Sequence, residues 1–390
     1  MTNHKSSRLV RSLRALGAAV CMTLAALSFC LAGATAASAE ETAQAPFRIA
    51  IVGLAHGHSF IEFRSLGKKT AVEVVAISDA DPALRAQAAA LFPEAKIYDD
   101  HRKLLDEVKP DGVWSFEDNS QHLAITRLCA ERGISLMFEK PMATNYADAV
   151  AMRDIAKKAG IQIVVNSQPP WLVANHAAET LAQSGELGKV WRVHTVSGHG
   201  GPGPGTAGRM VNQAFWSMLN DEKRGGGVLL DFGPYGAAWV RLHLGMPTTV
   251  YAARGRTRPD VYKVPTTTTI LATYPDHRIG IIEASWDLPR NIEQVEIFGD
   301  KGSVDLVSNP GNQLIRLEGW QGTEKREVPL PKLEPQWSDA ATYFANAVRQ
   351  KKVDEFLSPA FHADVMAILE AAKRSADTGK PVSIKSVMGR

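Results

Sequence analysis

Cysteine is scarce: the 390-residue chain has three, and only Cys129 lies beyond the first 39 residues. No internal disulfide is therefore expected to staple the fold. Aromatic residues make up only 7% of the chain, and no long apolar run follows the one near the start, so no further membrane-spanning segment is expected. We find no repeat, coiled-coil heptad or low-complexity tract. Neither sign of charge dominates. The formal charge of +3 rests on four basic residues near the start, and the remainder is close to neutral, which removes the electrostatic basis for binding nucleic acid or an anionic membrane. With 45% hydrophobic and 22% charged residues, the composition is that of a globular chain able to bury a full core.

Residues 1–39 carry Lys5, Arg8, Arg11 and Arg14 without an acid, then an apolar run from Leu16 to Ala36, then Ala37-Ser38-Ala39. This is the layout of a secretory signal peptide cleaved near Ala39, and it predicts a periplasmic or secreted protein with no membrane attachment after cleavage. An uncleaved anchor is the alternative, since the run is long enough to span a bilayer. Arg8 and Arg11 are separated by Leu9-Val10, so no adjacent arginine pair is present and the general secretory route is expected.

From Phe47 to Asn166, short β-rich runs alternate with longer amphipathic segments every 25 residues or so. That rhythm belongs to strand–helix–strand units and predicts a doubly wound parallel sheet over residues 46–166. The predicted strands are Phe47–Val52, Val72–Ile77, Lys96–Tyr98, Gly112–Trp114, Ser135–Phe138 and Gln162–Val165. Asp81-Pro82 marks a helix start, with a capping acid before proline at the first helical position. Beyond Asn166 the pattern changes. Helices are predicted near Asn175–Ser184 and from about Asp231, separated by a Gly/Pro-rich loop from Gly198 to Gly208. Alternating strands follow over Val250–Arg256, Thr266–Tyr274, Ile279–Trp286, Gln294–Gly299 and Gly302–Val307, and two helices over Asp339–Gln350 and Phe361–Thr378 close the chain. The fold class is therefore α/β: an N-terminal Rossmann-type domain, then an α+β domain over 167–390 with a large, mostly antiparallel open sheet. The closing helices are positioned to pack back on the first domain.

The first predicted strand runs into Gly53-Leu54-Ala55-His56-Gly57-His58, and Asp79 closes the second. In a dinucleotide fold, such a loop turns at its first glycine and brings backbone to a pyrophosphate, while the acid bonds the adenosine ribose. Gly53, Ala55, His56, Gly57, His58 and Asp79 are thus the cofactor-binding candidates, Asp79 favouring NAD over NADP. Here only the first glycine of the pattern is in place, and a plain strand-to-helix turn is the bland alternative. The fifth strand ends in Glu139-Lys140-Pro141, at the carboxyl end where open α/β sheets bind ligands. Further along, Gly225-Gly226-Gly227 leads to Asp231 and Tyr235, four apart and on one face if helical; a capping acid with a packed tyrosine reads the same residues without function. Asn119 and His122 follow the fourth strand. His56, His58, His122 and His199 show no close ligand spacing beyond His-x-His, so no metal is expected. Trp171, Trp286 and the loop around His199 are placed to flank a sugar or to pack in the core.

Taken in order, the Gly53 turn, Glu139-Lys140-Pro141, Gly185-Glu186-Leu187-Gly188-Lys189-Val190, Gly225–Tyr235 and Ala371–Gly379 resemble the Gfo/Idh/MocA oxidoreductase family, over about Phe47 to Ile384. The resemblance implies an NAD- or NADP-dependent oxidoreductase acting on the CH–OH group of a sugar or polyol, with an open sheet that joins subunits into a homodimer or homotetramer. It implies that Lys140 lies beside nicotinamide and substrate, that Asp231 binds substrate, and that Asn119, His122 and Glu139 border the cofactor. Tyr235 occupies the place usually held by the proton-transferring histidine. Tyrosine there resembles the glucose–fructose oxidoreductase and dihydrodiol dehydrogenase branches. A phenol with an ordinary pKa near 10 serves as a base where a neighbouring ammonium favours phenolate, and Lys140 is expected to be that ammonium.

An exported nicotinamide enzyme meets little soluble cofactor, so a tightly held one is expected. Two other readings stand beside the dehydrogenase: a redox-neutral, NAD-dependent glycosidase that oxidises its sugar transiently, and a sugar-binding protein on a Rossmann fold that no longer does redox chemistry.

Overall fold

The computed structural model describes residues 45–66, 71–167, 169–203, 212–309, 312–322 and 325–389. The signal peptide expected over 1–39 and the loop residues 204–209 lie outside the described residues. Six strands form the first sheet: β1 (Phe47–Val52), β2 (Val72–Ser78), β3 (Lys96–Tyr98), β4 (Gly112–Ser115), β5 (Ser135–Glu139) and β6 (Ile163–Asn166). They run parallel in the order β3-β2-β1-β4-β5-β6. Every residue of β4, β5 and β6 is buried, as strands covered on both faces must be.

The covering helices are α1 (Ser59–Leu66), α2 (Pro82–Leu91), α3 (His101–Val108), α4 (His122–Ala130) and α5 (Tyr146–Ala159). Their starts are chemically set. Asp81 accepts from the Ala83 and Leu84 N–H groups with Pro82 at the first position, and Asp100 and Asn145 cap α3 and α5 in the same way, each such cap contributing about 1 kcal/mol. The strand order reverses at β1, between β2 and β4, which opens the crevice where doubly wound sheets take ligands.

The second half begins with α6 (Val173–Ser184), β7 (Val190–Gly198), α7 (Gln213–Leu219), α8 (Val228–Asp231) and α9 (Gly233–Leu244). Strands β8 (Thr249–Gly255), β9 (Thr267–Thr273), β10 (Ile279–Ser285), β11 (Ile292–Gly299), β12 (Gly302–Asn309), β13 (Asn312–Gly319) and β14 (Lys325–Glu327) follow. The chain closes with α10 (Ala340–Gln350), α11 (Pro359–Thr378), β15 (Val382–Ser383) and α12 (Ile384–Met388). The nine-stranded sheet has the order β14-β13-β12-β11-β7-β10-β9-β8-β15. All its pairs are antiparallel except β7 with β10. Five of these strands match the sequence pattern; β7, β13, β14 and β15 are additions.

Alternation sorts the sheet's two faces. Val250 and Ala252, Ile270 and Ala272, Ile282 and Ala284, Val295 and Ile297 are buried, while their sequence neighbours point the other way. Helix α9 packs on β7 and β10, and α11 packs on β8 and also on α5 of the first half. Helix α10 closes on the first sheet, with Phe344 edge-on to Phe47 at 5.7 Å. One apolar core thus runs under both sheets and holds the ends of β1, β5, α8 and α9 in fixed relation.

Candidate active site

The loop leaving β1 turns at Gly53, whose φ of +78° suits glycine and where a Cβ would collide with the Glu117 side chain and lie 2.8 Å from its Cα. The loop's backbone donors are largely engaged within the protein. Gly53 N–H donates to Ser78 O, and His56 N–H to Phe116 O. Leu54 N–H donates to Asp79 Oδ2 at 2.6 Å, and Asp81 N–H donates to Asp79 Oδ1 at 2.7 Å. Asp79 therefore holds the loop to the end of β2, and burial raises its pKa. Each oxygen keeps a second lone pair for a ribose hydroxyl. Beside it, His101 bridges Ser78 (2.7 Å) and Glu117 (3.0 Å).

His56 and His58 pack edge to face, ring centroids 4.7 Å apart, and His56 also leans on Phe215 at 4.7 Å. Burial, with His58 and Lys140 nearby, drives the His56 pKa well below the ordinary imidazole value. His58 Nδ1 lies 2.8 Å from Glu139 Oε2. The other Glu139 oxygen accepts from Asn166 Nδ2 at 2.6 Å, and Asn166 in turn accepts from Trp171 Nε1 at 2.9 Å. The ends of β1, β5 and β6 are thereby tied together.

At the end of β5, Lys140 is buried, 3% exposed. Its ammonium donates to Asp231 Oδ1 at 2.8 Å and to the Asp231 carbonyl at 2.6 Å, a contact spanning 91 residues of sequence. It also sits 4.8 Å above the Tyr235 ring and 5.7 Å from that of Phe232. Trp286 Nε1 donates to Asp231 Oδ2 at 2.8 Å, so both carboxylate oxygens are occupied. Burial opposes charge on both partners, yet the pair overrules it: the Lys140 pKa is raised and that of Asp231 lowered.

Tyr235 departs from expectation. Burial of the phenol outweighs the Lys140 ammonium and pushes its pKa up, with Glu293 adding to the rise. The phenol is therefore neutral in the resting protein, not a phenolate. Asp231 and Tyr235 also do not share one continuous helix, because α8 ends at Asp231 and α9 begins at Gly233; Lys140 brings them together across that break. Asp231 caps nothing with its side chain.

Glu293, on β11, was not legible as a site residue. It shares the parity of buried Val295 and Ile297, so it faces the helix side of the sheet, where the Lys140 ammonium acts on it and it acts on Tyr235. Burial raises its carboxyl to about 7. Only strand alternation could have hinted at this acid.

Asn119 and His122 lie where the sequence placed them, after β4. Asn119 Oδ1 and His122 Nε2 are buried without a hydrogen-bond partner, and Gly225, with φ +86°, approaches Asn119 so closely that a Cβ would lie 3.1 Å from it. Two orphaned, buried polar atoms just beyond the carboxyl end of β4, with Gly53, Asp79 and Lys140, fit a nicotinamide dinucleotide. Trp171 lines a cavity of about 100 Å³ with His58, Glu62, Glu139, Asn166 and Tyr235. Trp286 is wholly buried and presents no face to a sugar; it orients Asp231 instead. His199 meets Phe232 edge-on at 5.0 Å.

Comparison with known proteins agrees with this fold. Residues 47–167 match the family described as oxidoreductase, NAD-binding Rossmann fold, and residues 175–305 match the GFO/IDH/MocA C-terminal domain. The chain is 27% identical over 203 residues to D-glucoside 3-dehydrogenase of Escherichia coli, covering 52% of this chain and about half (55%) of that protein. It is 22% identical over 333 residues to D-apiose dehydrogenase of Paraburkholderia graminis, covering 81% of this chain and 84% of the relative. Aldose-aldose oxidoreductase from Caulobacter crescentus, solved with glycerol, superposes with a TM-score of 0.74 at 22% identity, over 87% of this chain and 99% of its own. The chain belongs to the Gfo/Idh/MocA family of oxidoreductases, with an NAD-binding Rossmann domain followed by that family's C-terminal domain.

Proposed function

We propose that the chain is an exported dehydrogenase that oxidises a secondary hydroxyl of a sugar or related polyol and holds its nicotinamide nucleotide tightly. The observation that carries the reading is the Lys140–Asp231–Tyr235 cluster at the carboxyl end of a parallel sheet, 2.8 Å and 4.8 Å about one buried ammonium. Sugar dehydrogenases among the relatives support the substrate class.

Asn119, His122, Glu139 and the loop from Gly53 to His58 would hold the nucleotide, with Asp79 at the ribose favouring NAD; NADP is the weaker fit because a carboxylate repels the extra phosphate. When bound, the nicotinamide supplies the acceptor for hydride. The rest is done by the chain. Lys140 donates to the reacting oxygen and stabilises negative charge developing there, while Asp231, charged and fixed by Trp286, keeps the ammonium aimed and positions a neighbouring hydroxyl. Neutral Tyr235 gives its proton to an alkoxide in the reducing direction. For oxidation the phenol must pass a proton on, and Glu293, titrating at about 7, is the acceptor suited to that task. Oxidation therefore rises with pH through about 7 as Glu293 becomes a carboxylate, and reduction falls.

The open face of the nine-stranded sheet exposes Trp191, Tyr251 and Leu271, which supports pairing of subunits into a homodimer or homotetramer through that face. Export rests on the basic, apolar and small-residue layout of positions 1–39.

The test is Tyr235→Phe in periplasmically expressed protein. Turnover is expected to fall by about 10²–10⁴-fold while the nucleotide released on denaturation stays stoichiometric by mass spectrometry. Undiminished turnover would remove Tyr235 from the mechanism.

A further inference from the structure

We propose that His56, His58 and Glu139 form a binding site for one divalent cation of the zinc type, open toward the cavity lined by Tyr235. The sequence shows only His-x-His, which is too little for a site. Folding adds a third donor 81 residues from His58, and one ligand atom from each of the three side chains lies within 4.8 Å of the other two.

The donor set is specific. Two imidazole nitrogens and one carboxylate oxygen suit zinc, cobalt or manganese, whereas calcium and magnesium demand oxygen ligands alone. Bonds of about 2.0–2.2 Å to a tetrahedral ion set donors roughly 3.4 Å apart. His58 Nδ1 and Glu139 Oε2 are at 2.8 Å, so they must part slightly, and the widest pair must close by shifts of less than about one ångström per side chain. The hydrogen bond between His58 and Glu139 stands where the ion would be shared.

The surroundings hold the donors as a metal site requires. Asn166 fixes the far oxygen of Glu139 at 2.6 Å and is itself fixed by Trp171 at 2.9 Å, leaving Oε2 toward the histidines. Phe215 and the backbone bond to Phe116 fix His56. A carboxylate bonded in this way orients its metal and strengthens binding. Lys140, whose ammonium acts on His56, is neutralised by Asp231. Three protein ligands leave at least one position free, as in catalytic sites. The cavity of about 100 Å³ that His58 and Glu139 share with Tyr235, Glu62, Asn166 and Trp171 receives it, and a substrate hydroxyl or a water is the ligand it would take. Two bulky histidines in place of small loop residues then have a common purpose. The inference goes beyond the redox reading, in which Glu139 and this loop border the nucleotide, because it assigns an ion to the three side chains themselves.

Dialysis of the full processed chain against a chelator, then titration with Co²⁺ followed by visible absorption and displacement by Zn²⁺, tests the site. One equivalent is expected, with affinity about 10–100-fold weaker in His58→Ala and in Glu139→Gln and unchanged in His194→Ala, a histidine on the open sheet face. Should His58→Ala lose its cooperative melt, Glu139→Gln, nearly the same shape, carries the test alone. Absence of saturable one-equivalent binding, or unchanged affinity in Glu139→Gln, overturns the proposal. Nucleotide content is measured on the same sample: an ion without nucleotide would count against the redox reading only, and nucleotide without an ion against this site only.

Discussion

The two ends of the crevice use their polar groups in opposite ways. At the loop end, Asp79 turns inward and both its oxygens hold N–H groups of its own neighbourhood, Leu54 and Asp81. At the other end, Lys140 meets Asp231 and Tyr235 from a segment about 90 residues away in sequence, 91 from Asp231. The first arrangement sets a backbone shape; the second sets charge. Backbone N–H groups on one carboxylate can shape a loop with a single charge to desolvate, but a buried ion pair forms only where a whole core carries two charges together and repays their desolvation.

The contrast is sharpest if the charged end is broken. In Lys140→Met the Asp231 carboxylate stays buried with Trp286 as a neutral donor and without its ammonium partner, and the expected cost is about 3–5 kcal/mol in urea unfolding, together with loss of turnover. An effect on turnover alone would mean that the pair is not a structural tie. At the loop end Gly53→Ala meets both a left-handed φ and the Glu117 backbone, and a loss of about 1–3 kcal/mol is expected, with weaker nucleotide retention.

Glu293 tests whether the charged end extends to β11. Its carboxyl titrates at about 7 in the fold against an ordinary 4.5. Between those values the folded chain binds more protons than the unfolded one, so stability present below about 4.5 is lost as pH rises through 7. Melting temperature followed across that window should fall in the parent chain and flatten in Glu293→Gln, and the same variant should lose the rise of oxidation rate near pH 7. A melting curve that keeps its slope would place the titration elsewhere. Asp79→Asn carries the smallest expectation: an amide still accepts from one of the two N–H groups, and the removed charge shifts the NAD to NADP ratio in the bound pool toward NADP by about tenfold or less.

Much of the first sheet is legible because buried parallel strands are short continuous apolar runs and their helices start at polar caps such as Asp81, Asp100 and Asn145. The second sheet reads less completely. β7 carries Arg192 and His194 on its open face, where His194 meets Glu283 at 2.8 Å and Glu296 at 3.0 Å, and these charges blur its alternation. β15 is two residues long and exists because β8 offers it an edge. Lys140, Asp231 and Tyr235 were legible through the ordered strings that carry them, whereas Glu293 was not, since an acid at a strand start resembles any solvated one.

Composition, period and caps by themselves determined the class of fold, the near-neutral charge beyond the first 39 residues and which side chains sit at strand ends, because each depends on neighbours within a few residues. Only the tertiary structure decided that Tyr235 is a neutral phenol, that Trp286 serves Asp231, that Glu293 faces the site, and that Glu139 stands beside two histidines. Those outcomes turn on desolvation and on distances between groups remote in the chain, quantities that come into being only when the core closes.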